Sequence, residues 1–141
     1  MSATIVRVID VQKHPERDRL TVNTLSNGVI CLSNLTDDGT PRYSIGDLVC
    51  HVSIDSVVPE WLLKRQDCWR VDSKGKEKGT LGGNRGDRVK PIKMGGITSE
   101  GMLVAGVMVN DDMGNAIRLT NDVTENVFVF GDDVTEFFQI S

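Results

Sequence analysis

The sequence predicts a small all-β protein, built as a barrel or a sandwich of short strands. Three observations lead to this class: β-branched residues cluster in short runs, turn residues separate these runs, and one short segment alone has helical features. The length of 141 residues suits a single domain over residues 1–141. A chain of this size can bury a core without disulfides or a metal ion.

The N-terminal part of the chain predicts three strands. A β-branched run at residues 4–12 indicates the first strand. The proline within residues 14–18 disfavours helix before it and marks a turn. Residues 19–25 alternate apolar and polar side chains, which indicates a second strand. An Asn-Gly pair then favours a hairpin turn, so residues 29–32 are expected to form the third strand.

The middle of the chain predicts a strand, a helix and a loop. Residues 48–54 are mostly apolar and indicate a fourth strand. Proline favours the first positions of a helix, so a short helix is expected over residues 59–64. Residues 70–87 hold five glycines, many charges and almost no apolar side chains. We therefore expect a long, mobile loop, rich in glycine and lysine, over about residues 68–87.

The C-terminal part predicts the closing strands of the fold. Residues 88–93 and residues 101–109 are each expected to be a strand. Residues 115–119 and 126–130 predict two further short strands, and a helical turn is expected after them. Because acidic residues dominate this part of the chain, we expect an acidic C-terminal extension over about residues 110–141.

Charge is distributed unevenly along the chain. The net charge of −4 by itself argues against a nucleic-acid partner. Residues 61–93, however, hold ten lysines and arginines against four acidic residues, a net +6, while the flanks sum to −10. A local basic patch matters more for phosphate binding than the total charge does. A solvated loop that binds nothing is the alternative.

Several functional classes receive no support from the sequence. Three cysteines at wide spacing and two histidines are a poor ligand set for a metal ion. The cysteines are expected to be reduced thiols in a cytoplasmic protein. No apolar run approaches the roughly 20 residues that span a bilayer, and the first residues do not resemble a signal peptide. We therefore expect no metal, no cofactor and no membrane partner.

Two motifs make the sequence recognisable. Residues 14–20 read His-Pro-Glu-Arg-Asp-Arg-Leu, and residues 99–102 read Ser-Glu-Gly-Met. An HP-x-x-D-[KR]-L turn followed much later by S-x-G-M resembles the tRNA-binding OB domain appended to some methionyl- and phenylalanyl-tRNA synthetases. The resemblance implies an OB-fold barrel that binds RNA.

Further stretches extend the similarity over nearly the whole chain. They are residues 43–49, 54–63, 88–93 and 131–140. Together they resemble a narrower family, the N-terminal OB domain of ATP-dependent RNA ligases of the Deinococcus type. This resemblance implies a five-stranded OB-fold barrel with short helices.

Catalysis is the point at which the sequence departs from those ligases. They transfer AMP through a lysine in a K-x-D-G motif, which lies in a domain after the OB module. The nearest candidate here, residues 74–77, lacks the aspartate and the glycine. We therefore expect a protein that is not an enzyme by itself, either a free-standing binding module or a domain of a longer ligase.

Seven residues are candidates for nucleic-acid binding. In an extended strand two of them, Arg88 and Lys90, share a face, so a row of cations could follow a phosphodiester backbone. An ordinary solvated strand edge is the alternative for these bases. The hydroxyl in the S-x-G-M motif could bind phosphate or stabilise a turn, and an exposed indole could stack on a base. The seven are Arg85, Arg88, Lys90, Lys93, Ser99, Trp69 and Arg70.

RNA binding is the first functional hypothesis, with tRNA or a nicked or otherwise structured RNA end as the ligand. The alternative is a protein-interaction module that regulates or inhibits a nucleic-acid enzyme, because OB barrels host many functions. A ligase catalytic domain or a tRNA synthetase would then be the protein partner. Related tRNA-binding modules work as dimers or as appendages, so a homodimer is also open.

Overall fold

A computed structural model describes residues 2–81, 86–109 and 115–141. Its longest sheet has five antiparallel strands in the order β3-β2-β1-β4-β9. A second sheet has the order β10-β11-β12, and two separate hairpins are formed by β5 with β6 and by β7 with β8. In chain order the elements are β1 (Ala3–Lys13), β2 (Leu20–Leu25), β3 (Ile30–Asn34), β4 (Leu48–Val52), α1 (Glu60–Arg65), β5 (Trp69–Val71), β6 (Glu77–Gly79), β7 (Ile92–Met94), β8 (Ile97–Ser99), β9 (Met102–Val104), β10 (Val107–Met108), β11 (Ala116–Thr120) and β12 (Glu125–Val129).

The five-stranded sheet curls into a nearly closed barrel because β1 bends. The first half of β1 pairs with β4 and its second half pairs with β2, with a register shift between Val8 and Asp10. Such a bulge increases the bend and twist of a strand. The prediction of an all-β, OB-like barrel is therefore confirmed.

The two edges of the sheet meet along a seam between β3 and the residues that precede β9. The Glu100 amide donates a hydrogen bond to the Ile30 carbonyl at 2.9 Å. The Leu32 amide donates to the Ser99 hydroxyl oxygen, also at 2.9 Å. These two bonds join the edges and supply partners for backbone groups of β3 that an open sheet would leave exposed.

Two apolar layers hold the fold together. Barrel-facing residues, among them Val8, Leu25 and Val49, form the inner core. The opposite face of β1 and β4 contributes residues such as Ile5 to a second core, which lies outside the barrel. Every residue of β4 is buried, because both of its faces are covered. Each large apolar side chain buried in this way contributes about 1.5–3 kcal/mol.

The C-terminal part of the chain covers the outer face of the barrel. Val134, Phe138 and Ile140 are buried in the outer core. The segment that carries them is hydrogen-bonded to β1, since the Val134 amide donates to the Ala3 carbonyl at 2.8 Å. The predicted short strands of this region are present as β11 and β12. The acidic extension is thus packed on the barrel, with its apolar residues turned inward.

Helix α1 also belongs to the outer layer. It follows Pro59, as the sequence predicts, and buries Leu62 and Leu63. Trp61 packs against the outer core, with its ring centroid 6.2 Å from that of Phe138. Within the described residues, no helix has the length and apolar character needed to cross a membrane.

Three of the predicted elements differ in the structure. Residues 68–87 include the hairpin of β5 and β6, although the sequence predicts an irregular loop, because few apolar residues mark either strand. Residues 88–93 are not one strand, since Pro91 has no amide to donate and regular pairing starts only at Ile92. Residues 101–109 divide into β9 and β10, which join different sheets.

The histidine of the HP-x-x-D-R-L motif is a structural clamp. The Nδ1 atom of His14 accepts hydrogen bonds from the amides of Glu16 and Arg17, each at 3.0 Å. Because Nδ1 accepts, the proton lies on Nε2, which donates to the Met94 carbonyl at 2.9 Å. His14 therefore fixes the turn between β1 and β2 and ties it to the hairpin of β7 and β8. A Cβ atom at Gly95 would lie 2.6 Å from the His14 ring, so this position requires glycine.

The glycine of the S-x-G-M motif allows a close backbone approach at the seam. Gly101 has a φ of 120°, and a Cβ atom there would lie 2.2 Å from Nε2 of His51 and 2.7 Å from the Val52 carbonyl oxygen. The His51 Nε2 atom makes a 2.9 Å hydrogen bond with the Glu100 carbonyl. The prediction that Gly101 serves a positive φ and a close approach is confirmed.

We expect the Gly101→Ala variant to be much less stable than the Gly46→Ala variant. Both glycines have positive φ, 120° and 98°, but a Cβ atom at Gly46 meets nothing within 4 Å. The clash at Gly101 should add about 1–3 kcal/mol to the loss in free energy of unfolding. Urea denaturation of both variants measures this difference. Equal stability of the two would show that the seam has room for a side chain.

Candidate nucleic-acid interface

A groove of about 510 Å³ lies along the seam between β3 and β9. Its walls come from β3, the connection from β3 to β4, the C-terminal end of α1 and the segment before β7. Three cations line it: Arg42, Arg65 and Lys90. One acidic residue, Asp67, faces the same groove. The groove therefore carries an excess of positive charge in a protein whose net charge is −4.

Lys90 and Arg88 converge on one residue at the rim of this groove. The Lys90 ammonium forms a 2.9 Å ion pair with the Asp55 carboxylate. The Arg88 guanidinium donates to the Asp55 carbonyl oxygen, also at 2.9 Å. The hydrogen bond and charge of Lys90, with a smaller contribution from Arg88, hold the pKa of the Asp55 carboxyl below its usual value. Asp55 is thus a fixed anion between two cations.

Arg65 contributes charge to the groove while its donors hold the outer layer together. Its guanidinium donates to the carbonyls of Thr120 and Asn121, at the turn between β11 and β12. The same group lies 4.9 Å from the centroid of the Trp61 ring. Arg42, by contrast, is exposed beside the groove. Of these two arginines, Arg42 is better placed to reach a phosphate.

Ser99 faces the groove, but its oxygen takes part in barrel closure. The residue is buried, and its hydroxyl accepts the hydrogen bond from the Leu32 amide. The Gln66 amide donates to the Leu103 carbonyl at 2.8 Å across the same region. The polar floor of the groove is therefore largely committed to holding the two edges of the barrel together.

The remaining sequence candidates lie away from the groove or outside the described residues. Lys93 is exposed on β7, opposite Thr98 of β8. Arg70 lines a separate depression on the hairpin of β5 and β6. Trp69 packs against the outer core, with the Lys64 ammonium 5.3 Å from its ring centroid. Arg85 lies outside the described residues. RNA binding by any of the seven candidates stays a prediction.

Three residues important to this groove are absent from the sequence-based candidates. Arg42 is an isolated base in a polar connection, and nothing local in the sequence marks it. Arg65 ends a helix whose position on the barrel is set by tertiary packing. Asp55 is acidic and was therefore not sought in a basic site. Its positive φ of 66° is the unusual feature, and only the structure reveals it.

The aromatic residues do not form a surface on which bases can stack. All seven lie among the described residues. Tyr43 and Phe138 are buried, and Trp61, Trp69, Phe128 and Phe137 are partly buried against the outer core. The exposed one, Phe130, is covered on one face by the Arg7 guanidinium and lies outside the groove. The aromatic residues therefore offer the groove no stacking platform.

The three thiols are free and differ in exposure. Cys31 and Cys50 are buried, while Cys68 is half-buried at the groove. Burial raises the pKa of Cys31 to about 12, and it also raises the pKa values of Cys50 and Cys68. Among the described residues, no three His, Cys, Asp or Glu side chains are grouped so that they could hold a metal ion.

Comparisons with known proteins identify a shared fold. No family model and no curated protein matches the chain. Solved structures of an RNA ligase from Naegleria gruberi do match. An apo variant has a TM-score of 0.61 at 18% identity over 99% of this chain and 34% of that chain. A variant with ATP and Mn has a TM-score of 0.61 at 19% identity over 100% and 35%. The form with PPi has a TM-score of 0.59 at 18% identity over 99% and 34%.

The extent of this match is limited to part of the ligase. The chain spans about a third of the length of the ligase chains that it resembles. At 18–19% identity, the likeness shows that the two share the fold of this part.

We expect iodoacetamide to modify Cys68 first in the folded protein, and Cys31 and Cys50 only after unfolding. Thiolate is the reactive species, and burial suppresses it most at the two core positions. Peptide mass spectrometry after timed labelling measures the order. The Cys68→Ser variant should lose the fast phase, and labelling of Cys31 at the same rate as Cys68 would contradict the closed seam. Stability contributed by the protonated Cys31 thiol is present below pH 9.0 and should be lost as the pH rises towards 12.

Proposed function

We propose that this chain is an RNA-binding accessory module, similar to the OB domain of an RNA ligase and not catalytic by itself. The observation that carries the proposal is the groove at the barrel seam, where Arg42, Arg65 and Lys90 come together from three separate segments. Phosphate binding requires such a local concentration of cations. The fold shared with part of an RNA ligase supports RNA as the polyanion.

The composition of the groove favours recognition of the RNA backbone. Without a stacking platform, the groove cannot hold a series of unpaired bases as single-strand binders do. Cations that contact phosphates instead respond to the path of the backbone. We therefore infer that the ligand is structured RNA, either tRNA or a nicked RNA end, and that binding depends little on base sequence.

Adenylyl transfer is assigned by this proposal to another domain or another protein. The K-x-D-G motif is absent from the sequence. The ligases with a shared fold have chains about three times as long, since 34% of them is covered. A ligase catalytic domain is thus the protein partner that this proposal favours. Three unpaired cysteines are compatible with the cytoplasm, where we place the protein.

A protein-interaction module is the second candidate, and one observation favours it. The outer face of the β10-β11-β12 sheet exposes Val107, Val127 and Val129, which are 63%, 44% and 49% exposed. Exposed apolar side chains grouped on one face are typical of interaction surfaces. A protein that binds there should remain bound at moderate salt, whereas RNA held by phosphate contacts should dissociate.

Fluorescence anisotropy of labelled tRNA and of a labelled nicked RNA duplex tests the first proposal. If the groove neutralises two or three phosphates, affinity should fall about 10- to 40-fold between about 50 and 200 mM salt. A single-stranded RNA of equal length should bind more weakly than either ligand. Absence of binding at the lower salt concentration would refute the RNA proposal and favour the protein partner.

We expect the Arg42→Gln/Lys90→Gln variant to bind RNA at least about 10-fold more weakly, because two phosphate contacts are lost. Its salt dependence should decrease by about two in slope. The matched control is Lys74→Gln/Lys76→Gln, which removes the same charge from the turn of the hairpin of β5 and β6, away from the groove. Equal loss of affinity in both variants would mean that RNA responds to net charge and not to the groove.

A further inference from the structure

Asp55 is held in place by the backbone as well as by its side chain. Its amide donates to the Val89 carbonyl at 2.7 Å, and the Val89 amide donates to the Ser56 carbonyl at 2.8 Å. Its φ is 66°, a left-handed conformation that aspartate and asparagine adopt more readily than most residues. The carboxylate is therefore fixed beside the segment that carries Arg88 and Lys90.

The contacts of Asp55 are those that a phosphate group would make. Its carboxylate accepts from the Lys90 ammonium and its carbonyl accepts from the Arg88 guanidinium, both at 2.9 Å. A carboxylate and a phosphodiester both present anionic oxygens to such donors. Asp55 and the Lys90 side chain are also open to solvent, with exposed fractions of 56% and 35%. An ion pair of this kind is weak enough for another anion to displace.

We propose that Asp55 is an internal competitor for RNA phosphate, which occupies the phosphate position at Lys90 and Arg88 when no RNA is bound. This inference rests on the proposed function, because the competing ligand is RNA. Asp55 sets the affinity of the site below what its cations alone would give. RNA binding exchanges the carboxylate at Lys90 for a phosphate oxygen.

The Asp55→Asn variant isolates this role. Asparagine is nearly isosteric, tolerates the left-handed conformation, and keeps the backbone carbonyl that Arg88 contacts. It removes only the negative charge that holds Lys90. We expect it to bind tRNA or nicked RNA about two- to fivefold more tightly than the wild-type chain, in line with the weakness of an exposed ion pair. The slope of affinity against salt should steepen by about one phosphate contact.

Two further variants distinguish competition from a general charge effect. Glu125→Gln removes one negative charge from β12, in the other sheet, and it should leave the affinity within error of the wild-type value. In the Lys90→Gln background, Asp55→Asn should give no further gain, because the cation it frees is already absent. A gain that is equal with Glu125→Gln, or that persists without Lys90, would overturn the proposal. So would unchanged or weaker binding by Asp55→Asn.

Inorganic tripolyphosphate separates this inference from the proposed function. Backbone amide shifts of residues 55 and 88–90, followed by NMR during titration, report on the site without RNA. Asp55→Asn should bind tripolyphosphate more tightly than the wild-type chain does, and equal affinities would overturn the competition at Asp55. If tripolyphosphate shows the difference but neither RNA binds, the anion site stands and the RNA function fails.

Discussion

Closure of the barrel along the seam is the constraint on which the rest of the structure depends. Two hydrogen bonds, from the Glu100 amide to Ile30 and from the Leu32 amide to the Ser99 hydroxyl, join the edges of a five-stranded sheet. They require Gly101 to pass within van der Waals distance of His51, which no residue with a Cβ atom could do. The groove lies directly along this seam. The same short motif thus closes the fold and shapes the candidate binding surface.

The second core explains why a small barrel can carry an acidic extension. The outer faces of β1 and β4 are apolar, and they would be exposed if the chain ended with the barrel. Val134, Phe138 and Ile140 cover them, while the acidic residues between these positions remain at the surface. Positive charge is concentrated at the groove and negative charge in the C-terminal layer. This separation leaves a basic site on a protein of net negative charge.

The sequence predicts the barrel strands well, because their signals are local. Apolar and β-branched runs mark β1 to β4, and the Asn-Gly turn marks the hairpin of β2 and β3. The imperfect alternation in β1 has a physical reason, since Ile5 and Val6 are buried in different cores. The hairpin of β5 and β6 escapes prediction because charged residues and glycine dominate its strands. The groove escapes because Arg42, Arg65 and Lys90 are distant in sequence and meet only through tertiary packing.

Both ends of the described chain are fastened to the same short segment. The Ser2 amide donates to the Ser53 hydroxyl at 2.9 Å, and Ser141 exchanges two backbone hydrogen bonds with Val57 at 2.8 and 3.0 Å. Between these two attachment points lies Asp55. A fluorophore, affinity tag or fused polypeptide joined to either end would therefore emerge beside the anion and its two cations. Labels for binding studies belong on the far side of the molecule, for example on the turn between β11 and β12, where they do not compete for the space around Lys90.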